Sequence, residues 1–123
     1  MPLFNHGAYT LHSGGPSMFK IDCDALTDAD WDALARLVAS RIWFEEVVGI
    51  PRGGLRFAAS LMRYVRPLGP LLIVDDVLTT GASMGQKRLE ISARDPEMPV
   101  LGCVIFARGP VPPWVTALFR MAP

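Results

Sequence analysis

The segment from Leu71 to Ser83 constrains the fold of this chain more than any other part of its sequence. It reads Leu-Leu-Ile-Val-Asp-Asp-Val-Leu-Thr-Thr-Gly-Ala-Ser. The apolar residues 71–74 predict a short buried strand, two carboxylates follow it, and a turn of small and hydroxylated residues opens onto a predicted helix. A strand, a tight turn and a helix in direct succession are the repeating unit of a parallel α/β sheet.

The turn in this segment has the chemistry of a phosphate-binding loop. Backbone N–H groups converge at a helix N-terminus with the positive end of the helix dipole, and together they attract an anion. Hydroxyl groups add further donors, and glycine lets the backbone approach a ligand closely. The candidate phosphate-binding residues are Thr79, Thr80, Gly81, Ala82 and Ser83.

The adjacent carboxylates of Asp75 and Asp76 are candidates for a second task. They can accept hydrogen bonds from ribose hydroxyls or hold a hydrated Mg²⁺ ion. Aspartate and threonine are also common turn and cap residues, so the same pattern fits a strand, turn and capped helix that bind nothing.

The rest of the chain predicts further strands and helices in alternation. Residues 1–26 show short alternating patterns around a Ser-Gly-Gly-Pro-Ser turn, which indicate two short strands. Thr27 and Asp30 have the spacing of a capping box, and apolar residues then recur at helical intervals. The predicted core elements are a helix over 28–42, a strand over 46–50, a helix from Gly54 to about Val65, the strand over 71–74, a helix from about 83 to 93, and strands over 100–106 and 115–119.

This alternation predicts an α/β fold with a mostly parallel sheet and helices on both faces. Ligands in such sheets bind beyond the carboxyl ends of the strands. The loops after Ile50 and after Val74 both contain glycine and both follow a predicted strand. We therefore expect these two loops to meet at one edge of the sheet.

Size and composition exclude several classes of protein. A chain of 123 residues fits a single domain, and 50% hydrophobic residues exclude a disordered chain. Twelve basic and twelve acidic residues cancel, so no charge excess indicates nucleic-acid binding. No apolar run approaches the ~20 residues that span a bilayer, and the first residues lack the pattern of a signal peptide. We therefore expect a cytoplasmic protein without membrane or nucleic-acid partners.

The two cysteines, Cys23 and Cys103, do not have the spacing of metal ligands. Each lies beside apolar residues, which favours buried free thiols in a reducing compartment. The sequence alone leaves a disulfide between them open.

The whole run over 71–83 resembles the phosphoribosyl-pyrophosphate (PRPP) signature of the type I phosphoribosyltransferases: an apolar strand, Asp-Asp, two residues, Thr-Thr-Gly, a small residue, then Ser or Thr. The resemblance implies the Rossmann-like fold of that family, with residues 1–26 as a short N-terminal hood and residues 27–123 as the core of a single domain. It also implies transfer of ribose 5-phosphate from PRPP to a nucleobase, release of pyrophosphate, a requirement for Mg²⁺, and a homodimer.

The same resemblance implies a role for each candidate residue. Asp75 and Asp76 would be the catalytic pair that holds the ribose hydroxyls, with Mg²⁺ bound mainly through PRPP, and residues 79–83 would hold the 5-phosphate. Residues 51–54, Pro-Arg-Gly-Gly, stand where the family has its pyrophosphate loop. Arg52 would supply a cation, while Gly53 and Gly54 would let backbone amides approach the diphosphate. The alternative is an ordinary turn whose arginine faces water.

The N-terminal segment is similar to the opening of the orotate phosphoribosyltransferases, which favours orotate as the base and pyrimidine nucleotide synthesis as the context. This similarity implies that His12, Phe19 and Arg108 contact the base. His12 stands where that family has a lysine. A neutral histidine can still donate a hydrogen bond, but the fixed charge is lost. A surface histidine, a core phenylalanine and a surface arginine are the alternatives.

One departure from the family leaves other functions open. The orotate enzymes carry a further strand and a mobile catalytic loop between the helix after the pyrophosphate loop and the signature strand. Here only residues 66–70 separate the two elements, so this loop looks deleted. The loss would remove water exclusion and a cationic group at the departing pyrophosphate. A weak or inactive module that binds PRPP or a nucleotide, or a transferase for a different base, therefore remains a second hypothesis.

Overall fold

The structure is a computed structural model that describes the backbone of residues 4–10 and 16–21 and all of residues 23–121. Single 3-10 turns lie at Cys23–Ala25 and Met62–Tyr64. The strands and helices are β1 Phe4–Thr10, β2 Pro16–Ile21, α1 Asp28–Arg41, β3 Glu46–Gly49, α2 Gly53–Leu61, β4 Leu71–Leu78, α3 Ala82–Arg94, β5 Val100–Ala107 and β6 Val115–Arg120.

Four strands form one parallel sheet in the order β3-β4-β5-β6, which confirms the predicted α/β fold. The two N-terminal strands form a separate antiparallel pair, as the alternating pattern predicts. Residues 13–15 of the predicted turn between them lie outside the described residues. No helix in the described parts of the chain combines the length and apolar character needed to cross a membrane.

Helix α1 begins at the predicted capping box. The Thr27 side chain accepts a hydrogen bond from the Asp30 amide at 3.1 Å, and the Asp30 carboxylate accepts one from the Thr27 amide at 2.9 Å. Two of the helix-terminal amides are thereby satisfied. The Trp31 side chain that follows is only 4% exposed and lies in the core.

Strand β4 is longer than the four apolar residues predict. It runs from Leu71 to Leu78, so Asp75 and Asp76 lie within the strand rather than after it. The reason is β5, which stays in register with β4 as far as the pair Leu78↔Ala107. Ladder hydrogen bonds to a neighbouring strand extend β4 through polar residues that hydrophobicity alone excludes.

The sheet has a separate core on each face. Alternate residues of β4 point to opposite faces, as the twofold strand period requires. Leu72 and Val74 pack with helices α1 and α2, whereas Leu71 and Ile73 pack with α3. Helices therefore cover both faces, as predicted. Cys23 and Cys103 are both buried and are not joined in a disulfide, which resolves the open question from the sequence.

The connection from α2 to β4, residues 65–70, is bonded along its length to residues 43–45. The Arg66 amide donates to the Phe44 carbonyl at 2.8 Å, and the Trp43 indole N–H donates to the Pro67 carbonyl at 3.1 Å. The Leu68 amide donates to a Glu45 carboxylate oxygen at 3.1 Å, although the Leu68 side chain is 95% exposed. This connection therefore lies at the amino ends of the strands.

Candidate functional site

The predicted phosphate loop follows β4 at the carboxyl edge of the sheet. Gly81 has φ of 80°, a left-handed conformation that glycine adopts without steric cost, and it precedes the first residue of α3. The Thr80 hydroxyl accepts a hydrogen bond from the Ala82 amide at 3.3 Å. Residues 77–84 and Asp75 enclose a cavity of about 50 Å³, and all five predicted phosphate-binding residues line it.

The N-terminus of α3 supplies amide donors to this cavity. The first hydrogen bond of the helical ladder runs from the Gly85 amide to the Gly81 carbonyl at 2.9 Å. The amides of Ser83 and Met84 precede that bond, so they have no acceptor within the helix. Gly81 has no side chain that caps them. Two amides and the helix dipole therefore favour an anion here.

Asp75 and Asp76 form a half-buried carboxylate pair beside the loop. Asp75 Oδ1 accepts a hydrogen bond from the Asp76 amide at 2.8 Å, and Asp76 Oδ1 accepts one from the Val77 amide at the same distance. Burial, reinforced by a side-chain hydrogen bond to Asp76 and by its charge, raises the pKa of Asp75 from 3.8 to about 8. The pair therefore carries less negative charge at neutral pH than two exposed carboxylates would.

This pKa shift predicts how stability depends on pH. Between about pH 4 and pH 8, Asp75 is protonated in the folded chain and ionised in the unfolded chain, so unfolding releases a proton and the free energy of unfolding falls as pH rises. We expect Asp75→Asn to flatten this slope and to be more stable than wild type at pH 8. Urea unfolding from pH 5 to pH 8 without divalent cations measures the effect. Glu97→Gln, which alters an exposed carboxylate, should keep the wild-type slope; an unchanged slope in Asp75→Asn would contradict the shift.

The loop after β3 lies directly against the carboxylate pair. A Cβ atom at Gly53 would overlap the Asp76 carboxylate, with even the farther oxygen, Oδ1, only 2.6 Å away. A Cβ atom at Gly54 would lie 2.5 Å from the Val74 carbonyl oxygen. The Pro51–Arg52 peptide bond is cis, and the Arg52 side chain is exposed. The loop over residues 51–54 therefore lies against the carboxylate pair, at the same edge of the sheet as the predicted phosphate loop.

The structure describes the three predicted base-contacting residues only in part. Arg108 follows β5 at the same edge of the sheet, is half-buried, and donates its amide to the Leu78 carbonyl at 2.9 Å. Phe19 lies in β2 opposite His6, but its side chain is outside the described atoms. His12 lies outside the described residues. The base site thus stays a prediction from sequence.

Sequence reasoning missed part of the cavity wall. Val77, Leu78 and Met84 line it alongside the predicted residues. Met84 is an apolar residue on the first turn of α3, and this apolar character is the signal that the sequence offers. The role of Met84 in the cavity wall could not be predicted from it, because helix periodicity assigns such a residue to the core without showing that it also borders a site.

The side chains of this site can supply only a few of the ligands that a metal ion needs. In the described part of the chain, no group of three or more His, Cys, Asp or Glu side chains is arranged to hold a metal ion. Asp75 and Asp76 provide carboxylate oxygens, the ligand type that Mg²⁺ prefers. A cation here would therefore take most of its ligands from a bound substrate and from water.

Neither family models nor curated protein sequences give a match to this chain. Solved structures do. Orotate phosphoribosyltransferase from Aeropyrum pernix is 25% identical, with a TM-score of 0.72 over 96% of this chain and 88% of that chain. Orotate phosphoribosyltransferase from Mycobacterium tuberculosis is 16% identical, with a TM-score of 0.71 over 95% and 88% of the two chains.

The likeness extends to an enzyme for purine bases. Xanthine-guanine-hypoxanthine phosphoribosyltransferase from Helicobacter pylori is 14% identical, with a TM-score of 0.54 over 75% of this chain and 89% of that chain. The neighbours are thus orotate and other type I phosphoribosyltransferases, and they confirm the resemblance inferred from the signature segment.

Proposed function

We propose that this chain, which has the type I phosphoribosyltransferase fold, transfers ribose 5-phosphate from PRPP to a nucleobase and releases pyrophosphate. One observation carries the proposal: the glycine of the predicted pyrophosphate loop, Gly53, contacts Asp76, which in turn neighbours the phosphate loop. Two anion-binding loops thus flank one carboxylate pair, and PRPP presents two phosphate ends on either side of a ribose diol.

Each residue then has a defined task. The amides at the start of α3 and the hydroxyls of Thr79, Thr80 and Ser83 bind the 5-phosphate. Asp75 and Asp76 accept hydrogen bonds from the ribose hydroxyls, and the Asp76 carboxylate lies near the carbon that becomes cationic when pyrophosphate departs. Arg52 and the amides of residues 53–54 bind the diphosphate. Catalysis is mainly positioning and charge stabilisation, because the sugar passes through an oxocarbenium-like state.

Mg²⁺ is the proposed cofactor. Asp75 and Asp76 would hold it from the protein side, together with oxygens of PRPP and water. When bound, the ion neutralises negative charge on the diphosphate as it leaves. The protein's own share is the anchoring of both phosphate ends by the two loops.

Orotate is the favoured base. The support is the 25% identity with the Aeropyrum pernix orotate enzyme and the place of Arg108 at the carboxyl edge of the sheet. A guanidinium group can bind the orotate carboxylate with two parallel hydrogen bonds. His12 and Phe19 are the proposed further contacts to the base. Arg108→Ala should weaken orotate binding; unchanged affinity would remove this assignment.

A second function is favoured by the connection over residues 65–70. Its bonds to residues 43–45 hold it at the amino edge of the sheet, away from both phosphate loops. It therefore cannot exclude water from the site or supply a cation there. A module that binds PRPP or a nucleotide without turnover fits this geometry equally well, since binding needs only the two loops.

Turnover distinguishes the two functions. The purified chain is mixed with PRPP, Mg²⁺ and one of four bases, namely orotate, uracil, hypoxanthine or nicotinate, and released pyrophosphate is measured. The double variant Asp75→Asn/Asp76→Asn is the blank. We expect release with orotate that is lost in the blank. Release with another base alone would overturn the orotate assignment, and calorimetric PRPP binding without release would favour the binding module. If neither pyrophosphate release nor PRPP binding is detected, both functions are refuted.

A homodimer and a cytoplasmic location complete the proposal. The two buried cysteines, which are not joined in a disulfide, support a reducing compartment, where thiols persist. Sedimentation of the purified chain measures the oligomeric state directly, and a monomer at assay concentration would remove the dimer from the proposal.

A further inference from the structure

Gly102 on β5 forms a notch in the sheet beneath helix α3. It pairs with Ile73 on β4 and with Val115 on β6. A Cβ atom at this position would lie 2.9 Å from Met84 Cε, with Trp114 Cζ3 at 2.8 Å and Val115 Cγ2 at 2.9 Å. The side chains of Met84, Trp114 and Val115 can therefore pack this close to β5 because position 102 has no side chain.

Met84 occupies this notch from the first turn of α3. Its side chain is 2% exposed and belongs to the core between α3 and the sheet. Met84 also lines the phosphate cavity, and its amide is one of the two donors without an acceptor in the helix. One residue thus joins the sheet on one side to the anion-binding amides on the other.

A second contact holds the next turn of the same helix. The Arg88 guanidinium lies 4.7 Å from the centre of the Trp114 ring, and Trp114 itself borders the Gly102 notch. Met84 and Arg88 are four residues apart, so they lie on one face of α3. The start of the helix is therefore fixed to β5 and β6 at two successive turns.

We propose that Gly102 and Met84 are positioning residues for the phosphate loop: the notch sets the depth of the Met84 side chain and so the placement of the Ser83 and Met84 amides. Gly102 has no side chain, and the Met84 side chain packs in the core between α3 and the sheet rather than in the cavity. The inference rests on the proposed function for the identity of the anion, the 5-phosphate of a ribose. Displacement by a fraction of an ångström weakens a hydrogen-bonded anion because donor distances of 2.7–3.2 Å are needed.

The first test compares ligand affinities by isothermal titration calorimetry. Gly102→Ala should weaken ribose 5-phosphate binding about tenfold, the order expected when one hydrogen bond to a charged group is weakened, and leave pyrophosphate binding, which uses residues 52–54, unchanged. Adding Met84→Leu removes the Cε atom, the one close neighbour of the new Cβ that belongs to α3, so the double variant should recover part of the affinity although Trp114 and Val115 still crowd the Cβ. Gly85→Ala is the matched control, since a Cβ at Gly85 has no neighbour within 4 Å; its affinities should equal those of wild type.

A second variant separates positioning from general loss of packing. Met84→Ala empties the notch, and Ile91→Ala removes a buried side chain two turns further along the same helix. Both should lower stability, but only Met84→Ala should weaken ribose 5-phosphate binding. Equal effects of the two variants on affinity would overturn the proposal, as would wild-type affinity in a folded Gly102→Ala chain.

Amide chemical shifts of the ligand-free chain provide a readout independent of the proposed function. In ¹H–¹⁵N spectra, Gly102→Ala should shift the signals of residues 82–84, and Ile91→Ala, two turns further along α3, should leave those signals in place. Unshifted signals at 82–84 would overturn the positioning role. If wild type binds neither ribose 5-phosphate nor PRPP, the proposed function fails, while these shifts still decide whether Gly102 sets the start of α3.

Discussion

Gly53→Ala is expected to slow PRPP-dependent pyrophosphate release by about 100-fold, the order of loss that follows a displacement of about 1 Å at a reacting group. The added Cβ would overlap the Asp76 carboxylate. Either Asp76 turns away from the ribose site or the loop over residues 51–54 moves out. Both changes separate the carboxylate pair from the diphosphate site, whereas the added methyl introduces no charge.

Gly85→Ala is the matched control for this experiment, because it adds the same methyl group to a helix in open space. It should retain wild-type kinetics and gain about 0.5–1 kcal/mol of stability from a better helix former. Thermal unfolding of both variants shows whether the chain is folded. A folded Gly53→Ala chain with wild-type rates would show that Gly53 and Asp76 are not held together during turnover.

Phe57→Ala is expected to lower the free energy of unfolding by about 3–5 kcal/mol, the range for a buried phenylalanine. Phe57 lies on α2, has no exposed surface, and contacts Trp31 with ring centres 5.9 Å apart. It joins α2 to α1 and to the sheet, and α2 follows directly from the pyrophosphate loop. Since domains of this kind have about 5–15 kcal/mol in total, the loss is a large share of the stability.

Urea unfolding measures the change, with Leu55→Ala on the same helix as the control. Leu55 is 52% exposed, so its truncation should change the free energy of unfolding by less than about 1 kcal/mol. Equal losses for the two variants would contradict the assignment of Phe57 to the core between α1 and α2.

The fold could be predicted in most respects because its signals are local. Thr27 and Asp30 fix the start of α1, and apolar runs mark β3, β4 and β5. Element ends that depend on neighbours were predicted less well. Strand β4 continues through Asp75 and Asp76 because β5 pairs with it, and α2 gives way to a 3-10 turn at Met62 before the predicted end.

The site was predictable where one segment carries it and unpredictable where distant residues meet. Residues 79–83 form one loop, so their spacing alone indicates a common cavity. Two contacts join residues that are far apart in the sequence: Gly53 contacts Asp76, and Met84 packs on Gly102. No periodicity encodes such contacts, since they arise only when the parallel strands are aligned side by side.

The bonded connection over residues 65–70 also limits how far this part of the chain can reach. Strand β4 has eight residues, which at about 3.3 Å per residue separates the two edges of the sheet by about 26 Å. An extended chain covers at most about 3.6 Å per residue, so a loop from this connection would need some seven or eight residues to reach the phosphate loop and as many to return, about 15 in all. The connection has only six residues, and hydrogen bonds already hold it against residues 43–45. In the proposed reaction, a cation that meets the departing pyrophosphate must therefore come from another segment of this chain or from a second molecule.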